Sequence, residues 1–320
     1  PFTHEDRVVG VLPLYHVYGL ANGLVACVNY GACMVMVAQY SPQNLLDAIA
    51  ENQATIMPAI PSMYQHLLTV ARSRTARIPK SLKYCVSGGA PLSVSVLREF
   101  MTVFETQISE GYGLTETTSS VCCNVAGDGY KEGSIGHAAT GVEMSVFDDE
   151  GNELAPGEVG EIVIRSETVT PGYWNNDAAT GESFSPGGWF HTGDLGYVDE
   201  DGVFFITDRK KDLIIRGGFN ISPREVEEVI MLHPKVREAA VIAAESKRGE
   251  ETVKAFIVLH DGEEMSEREA IDHCEENMAP YKRPKIVEFV DTLPKSATGK
   301  ILRNELRGEA KDKRLVERER

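Results

Sequence analysis

The sequence predicts an α/β fold in which a parallel-sheet α/β subdomain and a small β-rich subdomain are followed by a small α+β C-terminal lid domain. Three observations predict it. Up to residue 109, apolar runs of strand length alternate with longer runs of helical periodicity, as the crossover units of a parallel sheet require. Beyond about Val121 the runs shorten and turn clusters crowd together, the texture of a small β-rich region. From Asp212 two helix-opening signals are interleaved with three β-forming runs. The corresponding boundaries are 1–125, 126–211 and 212–320.

Residues 8–12 read as a buried strand, 18–30 as a helix stopped by Gly31, and 32–38 as a second strand. Ser41 and Pro42 open a helix to about Asn52, because a serine hydroxyl satisfies an orphan N–H and a first-turn proline has no N–H to lose. Residues 55–57 form a short strand, Pro61 opens another helix, and the strand at 82–86 runs into Ser87-Gly88-Gly89-Ala90-Pro91. A helix over 92–104 leads to a strand at 107–109, which runs into the loop Glu110-Gly111-Tyr112-Gly113-Leu114-Thr115-Glu116. Both glycine-containing loops fall at carboxyl ends of parallel strands, where open α/β sheets bind ligands.

Strands at 142–148 and 160–165 flank a turn at 150–153. The β-forming runs 197–198 and 203–206 flank Asp199-Glu200-Asp201-Gly202, a hairpin signal that sets Asp194 and Arg209 at the same end. In the last part, Ser222-Pro223-Arg224-Glu225 and Ser266-Glu267-Arg268-Glu269 read as capping boxes. Strands at 238–244, 253–259 and 285–290 lie between and after them. The segment 294–300, PKSATGK, makes a tight loop into a helix beginning near Ile301, and the charged tail from Glu309 reads as a solvated helix end.

Composition narrows the function. With 42% hydrophobic and 25% charged residues the chain is an ordinary globular protein. A formal net charge of -16 argues against nucleic acid as a partner, since phosphate backbones are engaged by basic surfaces. Residues 212–320 hold 20 Lys and Arg against 23 Asp and Glu, leaving 12 against 25 for residues 1–211, so the basic groups sit where a domain closing over phosphates would want them. Six cysteines without a C-x-x-C pair indicate neither a zinc site nor a disulfide framework, and a reducing cytoplasmic setting fits them. Residues 8–46 contain no Lys, Arg, Asp or Glu, yet Pro13, His16, Asn22, Asn29 and Gln39 interrupt the run, and a transmembrane segment is not expected.

The residue types suggest a site for a phosphorylated ligand. A carboxylate at Asp194 accepts hydrogen bonds from paired hydroxyls, and a guanidinium at Arg209 donates to ribose or phosphate oxygens. Thr115 can donate to a phosphate oxygen, and Glu116 can hold magnesium directly or through water. Lys300, in a glycine loop, can neutralise charge that builds on a phosphate. The acidic turns at 148–150 and 199–201 lack the ligand spacing of a calcium loop and read as solvated turns.

These stretches, in this order, resemble the AMP-forming acyl-CoA synthetase family, the adenylate-forming ligases. The resemblance runs from about Leu12 to Arg307. It implies that Thr192-Gly193-Asp194 and Asp208-Arg209 bind the ribose of ATP, that Ile206 packs on the adenine, and that Gly111-Tyr112 lies against it. It further implies that the loop holding Gly88, Gly89 and Ala90 lines the adenine and acyl pockets, with Glu110 beginning the next motif. Thr115 and Glu116 take phosphate and metal, Lys300 is the adenylation lysine, and His16 lies near the carboxylate with Tyr15 beside it. Lys211 matches the hinge of the small domain, and Gly217-Gly218-Phe219 the loop that meets coenzyme A.

The implied reaction is ATP-dependent ligation of a carboxylic acid to coenzyme A, with Mg²⁺, through an acyl-adenylate. Ile215, Gly217 and Asn220 depart from the residues of aryl-CoA ligases and favour a fatty-acyl type. Two rivals are an adenylation domain that loads a carrier protein and a truncated, non-catalytic nucleotide-binding remnant. The family's phosphate-cradling loop should precede residue 1, so the chain is expected to be the C-terminal portion of a longer protein.

Overall fold

A computed structural model describes residues 2–73, 78–125, 127, 129–245, 251–296 and 299–308. The chain divides into two compact units, one of residues 1–192 and 196–206 and the other of 193–195 and 207–320.

The first unit is built on a seven-stranded sheet in the order β2-β1-β3-β4-β5-β6-β7. Its first part is β1 (Arg7–Gly10), a π-helical segment (Gly19–Val25) continued by α1 (Ala26–Tyr30), β2 (Cys33–Met36), α2 (Pro42–Asn52), β3 (Ile56–Ala59) and α3 (Pro61–Ala71). It continues with β4 (Tyr84–Ser87), α4 (Val94–Phe104), β5 (Gln107–Leu114), β6 (Ser119–Asn124) and β7 (His137–Ala138). The strands β2, β1, β3, β4 and β5 are parallel neighbours, and β6 and β7 add an antiparallel edge. Local signals set the helix ends. Ser41 Oγ accepts from the Asn44 N–H at 3.0 Å, and Gly31 closes α1 at φ 68°. Under the sheet Leu45, Ile49, Tyr64, Leu67, Leu97 and Phe100 are fully buried, and the Tyr64 and Phe100 rings meet edge to face at 4.9 Å.

One loop expected from the sequence is in fact a strand. β5 does not stop at Ser109 but runs through Glu110–Gly113 to Leu114, pairing with β4 on one side up to Glu110 and antiparallel to β6 from there on. Glycine makes this possible: a Cβ on Gly113 would lie 1.8 Å from the Ser119 carbonyl oxygen. The chain then turns through a single 3₁₀ turn, Thr115–Thr117.

A second sheet, most of whose residues belong to the first unit, runs β10-β11-β9-β8, with β12 paired to β11. Its strands are β8 (Val142–Phe147), β9 (Gly160–Ser166), β10 (Phe184–Ser185), β11 (Trp189–Val198) and β12 (Phe204–Arg209), and a short helix, α5 (Asp177–Ser183), precedes β10. The acidic turns are closed by hydrogen bonds, as solvated turns are. Asp148 Oδ1 accepts from the N–H groups of Glu150 and Asn152, and Asp199 Oδ1 from those of Asp201 and Val203.

The second unit holds a two-stranded hairpin, β13 (Ile214–Arg216) with β14 (Phe219–Ile221), and a three-stranded sheet, β15 (Val236–Glu245), β16 (Glu251–Leu259) and β17 (Ile286–Phe289). Helices α6 (Pro223–Met231) and α7 (Glu267–Asn277) pack with them around Ile214, Val226, Ile230, Val241, Ala255 and Ile257. Both helices are capped by serine, Ser222 Oγ accepting from the Glu225 N–H and Ser266 Oγ from the Glu269 N–H. At α7 the box is reciprocal, since the Glu269 carboxylate also accepts from the Ser266 backbone N–H, and the same two glutamates carry ion pairs, Glu225 with Lys282 and Glu269 with Lys235. The tail from Glu309, expected to end a helix, lies outside the described residues.

Candidate functional site

Within the first unit, Gly88 and Gly89 follow β4, and Gly88 comes close to Gly111 on β5. A Cβ on Gly88 would lie 3.2 Å from the Gly111 carbonyl oxygen and 3.3 Å from the Tyr18 ring. Tyr18 donates its hydroxyl to the Val86 carbonyl at 2.7 Å, so the end of β4 is pinned from below. Ala90 continues the same loop. Glu110 is buried, and its carboxylate accepts from the Leu92 N–H at 3.4 Å. Tyr112 and Ile206 pack against one cluster of Cys122, Ile135, Val146, Ile162 and Phe204.

Thr115 and Glu116 begin the 3₁₀ turn, which Thr117 holds: its Oγ1 accepts from the Leu114 N–H at 2.9 Å and donates to the Ser119 carbonyl at 2.8 Å. Thr115 is exposed. The Glu116 carboxylate accepts the Tyr173 hydroxyl at 2.9 Å, and its carbonyl accepts from the Thr170 N–H at 2.7 Å. Burial, then the negative charge of Glu116, pushes the Tyr173 hydroxyl above its ordinary range, so it stays a donor. Sequence reasoning missed Tyr173, since nothing local links it to a residue 57 positions away.

His16 has a local partner. Its Nδ1 accepts from the Tyr18 N–H at 3.1 Å at the entrance to the π-helical segment, which leaves Nε2 as the protonated nitrogen. Tyr15, next to it, is exposed.

Among the described residues no group of three or more His, Cys, Asp or Glu converges as a metal cage. Glu116 is a single carboxylate beside a hydroxyl-bearing turn. That donor set fits Mg²⁺, which keeps several waters and takes substrate phosphates as ligands rather than an all-protein cage.

Within the second unit, Asp194 is 4% exposed and Arg209 Nε donates to its Oδ1 at 2.9 Å. The Asp208 carboxylate bridges onward, accepting from the Arg209 N–H at 2.7 Å and from Ser222 Oγ at 2.6 Å. Lys211 lies in the 3₁₀ turn Lys210–Asp212 that follows. Gly217 and Gly218 form the two-residue tip of the β13–β14 hairpin, with φ of 58° and 82°, the left-handed pair a tight hairpin needs. Phe219, half-exposed beside the tip, stacks on Tyr281 at 4.6 Å.

Lys300 lies in a loop closed by the Ser296 N–H donating to the Lys300 carbonyl at 2.8 Å and the Leu302 N–H to the Pro294 carbonyl at 2.9 Å. Residues 297 and 298 of the PKSATGK segment lie outside the described residues. Burial, then the positive charges of Arg209 and Lys211, lower the Lys300 ammonium from its ordinary value, against the opposing pull of Asp194 and Asp212. The second unit therefore brings Asp194, Arg209, Lys211 and Lys300 into one electrostatic neighbourhood.

The strand-end glycine loops of a mostly parallel sheet, the Asp194–Arg209 pair and the partly buried Lys300 are the kinds of group that nucleotide-binding proteins use. The chain belongs to the AMP-binding enzyme family: the AMP-binding enzyme model matches residues 1–174, and the AMP-binding enzyme C-terminal domain model matches 225–300. Among curated proteins it is similar to a long-chain-fatty-acid–CoA ligase of Bacillus subtilis (strain 168), 39% identical over 94% of this chain and 54% of that protein. Among solved structures it is similar to ATP-bound MatB from Rhodopseudomonas palustris, at 33% identity and a TM-score of 0.90, covering 97% of this chain and 61% of that one. It is also similar to the o-succinylbenzoate coenzyme A synthetase MenE of Bacillus subtilis in complex with ATP and magnesium ion, at 36% identity and a TM-score of 0.82, covering 94% and 61%. The chain spans about half the length of the curated relatives it matches. No helix among the described residues is long and apolar enough to cross a membrane.

Proposed function

We propose that this protein is an ATP-dependent carboxylate:CoA ligase of the fatty-acyl type, forming an acyl-adenylate and then an acyl-CoA thioester. The observation that carries the reading is the company Lys300 keeps: a partly buried ammonium in the field of Arg209, itself bound to the buried carboxylate of Asp194. In the first half-reaction the acid's carboxylate attacks the α-phosphate of ATP and pyrophosphate leaves. Asp194 accepts the ribose hydroxyls, Arg209 donates to ribose or phosphate oxygens, and the Lys300 ammonium neutralises charge gathering on the α-phosphate. Magnesium, when bound, neutralises the phosphate oxygens, and Glu116 is the carboxylate that would hold it while Thr115 donates to a phosphate. Gly88, Gly89, Ala90, Glu110, Gly111, Tyr112 and Ile206 surround adenine and acyl group, and His16 lies near the reacting carboxylate. In the second half-reaction the CoA thiolate attacks the adenylate carbonyl and AMP leaves, with Gly217, Gly218 and Phe219 approaching the thiol's carrier and Lys211 serving as the hinge.

The reading includes three parts, 1–125, 126–211 and 212–320, the last acting as a mobile lid. The relative named above as a long-chain-fatty-acid–CoA ligase supports the substrate class, and the six free cysteines support a reducing, cytoplasmic setting. A screen of pyrophosphate release across carboxylates from acetate to long-chain and aryl acids tests the reading. Release confined to fatty acids, followed by CoA-dependent AMP release, is the expected result. Pyrophosphate release with no acid, or CoA-independent transfer to a carrier protein, would overturn it.

A further inference from the structure

The helical turn after Lys300 carries two arginines four residues apart, and both reach back to acidic groups far away in sequence. Arg307 Nη2 donates to Asp212 Oδ1 at 2.7 Å, and Arg303 Nη1 lies 3.9 Å from Asp212 Oδ2. The second terminal nitrogen of Arg303 donates to both Glu227 oxygens, at 2.7 and 2.8 Å, and Glu227 Oε1 also accepts from the Val241 N–H at 2.7 Å. Asp212 is 5% exposed and closes the turn Lys210–Asp212. Two guanidinium groups therefore tie the residues after Lys300 to that turn, to α6 and to β15.

Anchoring alone does not account for the arrangement. Leu306, on the same helical turn, is buried against Ala240, Ile242, Phe256, Val258 and Leu293, with Ile301 packed beside it, so apolar contacts already dock the segment. Buried ion pairs add little net stability, because desolvation offsets much of the attraction, and their best-attested use is to fix one geometry among several. The buried Nε of Arg303 has no hydrogen-bond partner, as expected of a side chain aimed at two carboxylates at the expense of its own third nitrogen.

We propose that Arg303 and Arg307 are positioning residues for Lys300: by gripping Asp212 and Glu227 they hold the Lys300 loop in register with the turn at Lys210–Asp212 and with the Arg209–Asp194 pair just before it. This rests on the reading of Lys300 as the adenylation lysine. Arg303 is well suited to the part. Burial works against its charge, but Glu227, and after it Asp208 and Asp212, outweigh that effect and keep it firmly cationic.

The test uses the full 320-residue chain, trace-labelled with acetic anhydride across pH and read at each lysine by mass spectrometry. Positioning and simple through-space charge predict different signs. Asp212 favours the Lys300 ammonium, so removing its charge alone would lower the midpoint of the Lys300 profile, whereas freeing the loop into water raises it. The proposal expects Arg307→Met and Asp212→Asn both to raise that midpoint, by about half a pH unit or more, roughly threefold in the reactive fraction. The double variant should go no further than either single one. Lys254, buried and paired with Glu288 at 2.8 Å in the same unit, should keep its profile.

Opposite signs for the two variants, or no movement, would overturn the proposal. Should Arg307→Met uncover Lys254 as well, Asp212→Asn decides, because it keeps the side chain's size while removing the charge the arginines grip. A raised Lys300 midpoint with Lys254 still protected supports the proposal, and an unmoved one refutes it. Protection of Lys300 by ATP plus a fatty acid is read in the same samples. Same-sign shifts without protection leave the positioning standing and remove the adenylation role, whereas protection without shifts does the reverse.

Discussion

Tyr173 donates its hydroxyl to the carboxylate of Glu116 at 2.9 Å, so one of the two Glu116 oxygens is already engaged. Each hydrogen bond to a charged group is worth about 1.5–3 kcal/mol in favourable settings, less where solvent reaches it. Tyr173→Phe should cost about 1 kcal/mol of stability in urea unfolding. It should also change the magnesium concentration for half-maximal pyrophosphate exchange by roughly threefold or more, the equivalent of half that bond. An unchanged magnesium requirement would leave Tyr173 a purely structural partner of the turn.

Lys300→Ala should lower adenylation by about 10²-fold or more, while a supplied acyl-adenylate is still converted to thioester. Equal losses in both half-reactions would contradict the assignment. Because the folded-state ammonium titrates below its ordinary value, adenylation should fall on the alkaline side at a lower pH than an exposed lysine would give. Stability moves the other way. The unfolded chain binds the proton more tightly between the lowered value and 10.5, so this residue's contribution rises with pH across that window and its penalty is full below it. Lys300→Met should flatten that rise in a pH series of unfolding curves.

Lys211→Pro probes the joint. Proline disfavours helical backbone at the residue before it, and Lys210 lies in the 3₁₀ turn Lys210–Asp212, so the substitution selects against the observed turn. Paired half-reaction assays should show one step reduced by roughly tenfold or more, the effect of about 1.4 kcal/mol, and the other spared. Lys211→Ala controls for the lost charge. If alanine reproduces the whole defect, or proline leaves both steps near wild type, the backbone of Lys211 is not the hinge.

Two glycines should respond for different reasons. Gly113→Ala drives a methyl group into the Ser119 carbonyl and should cost about 3 kcal/mol or more, since backbone must move. Gly217→Ala meets nothing within 4 Å but holds φ at 58°, and should cost only about 1–2 kcal/mol. Thermal or urea unfolding that ranks them in the opposite order would contradict the account of β5.

What the sequence revealed follows the range of the forces involved. The start of α2 at Pro42 was legible because its cap is made within three residues, at Ser41 and Asn44. Helix α5 was not, since none of its residues is buried and its signals are confined to the cap at Asn176 and the first-turn Asp177. The far half of β5 reads as a loop because Gly111 and Gly113 depress strand propensity, and only the approach of Ser119 explains Gly113. The β13–β14 hairpin reads as a loop around its glycines because its strands are three residues each. In the site, Asp194, Arg209 and Lys300 stand in recognisable local wording, and the Asp194–Arg209 contact follows from the hairpin. Tyr173, Arg303 and Arg307 act across 57, 76 and 95 positions, a reach that no local periodicity encodes.

Gly193–Leu195 belongs to the second unit although the residues on both sides of it belong to the first, so the chain crosses between the units at 192/193, 195/196 and 206/207. No single cut in the gene can therefore separate them. A fragment starting at Thr207 would inherit Arg209 without Asp194, leaving the guanidinium unpaired, and a recombination crossover anywhere between 196 and 206 would take that ion pair's two halves from different parents. Shuffling between family members should therefore favour breakpoints before Thr192 or after Arg209, and inherit the intervening block whole.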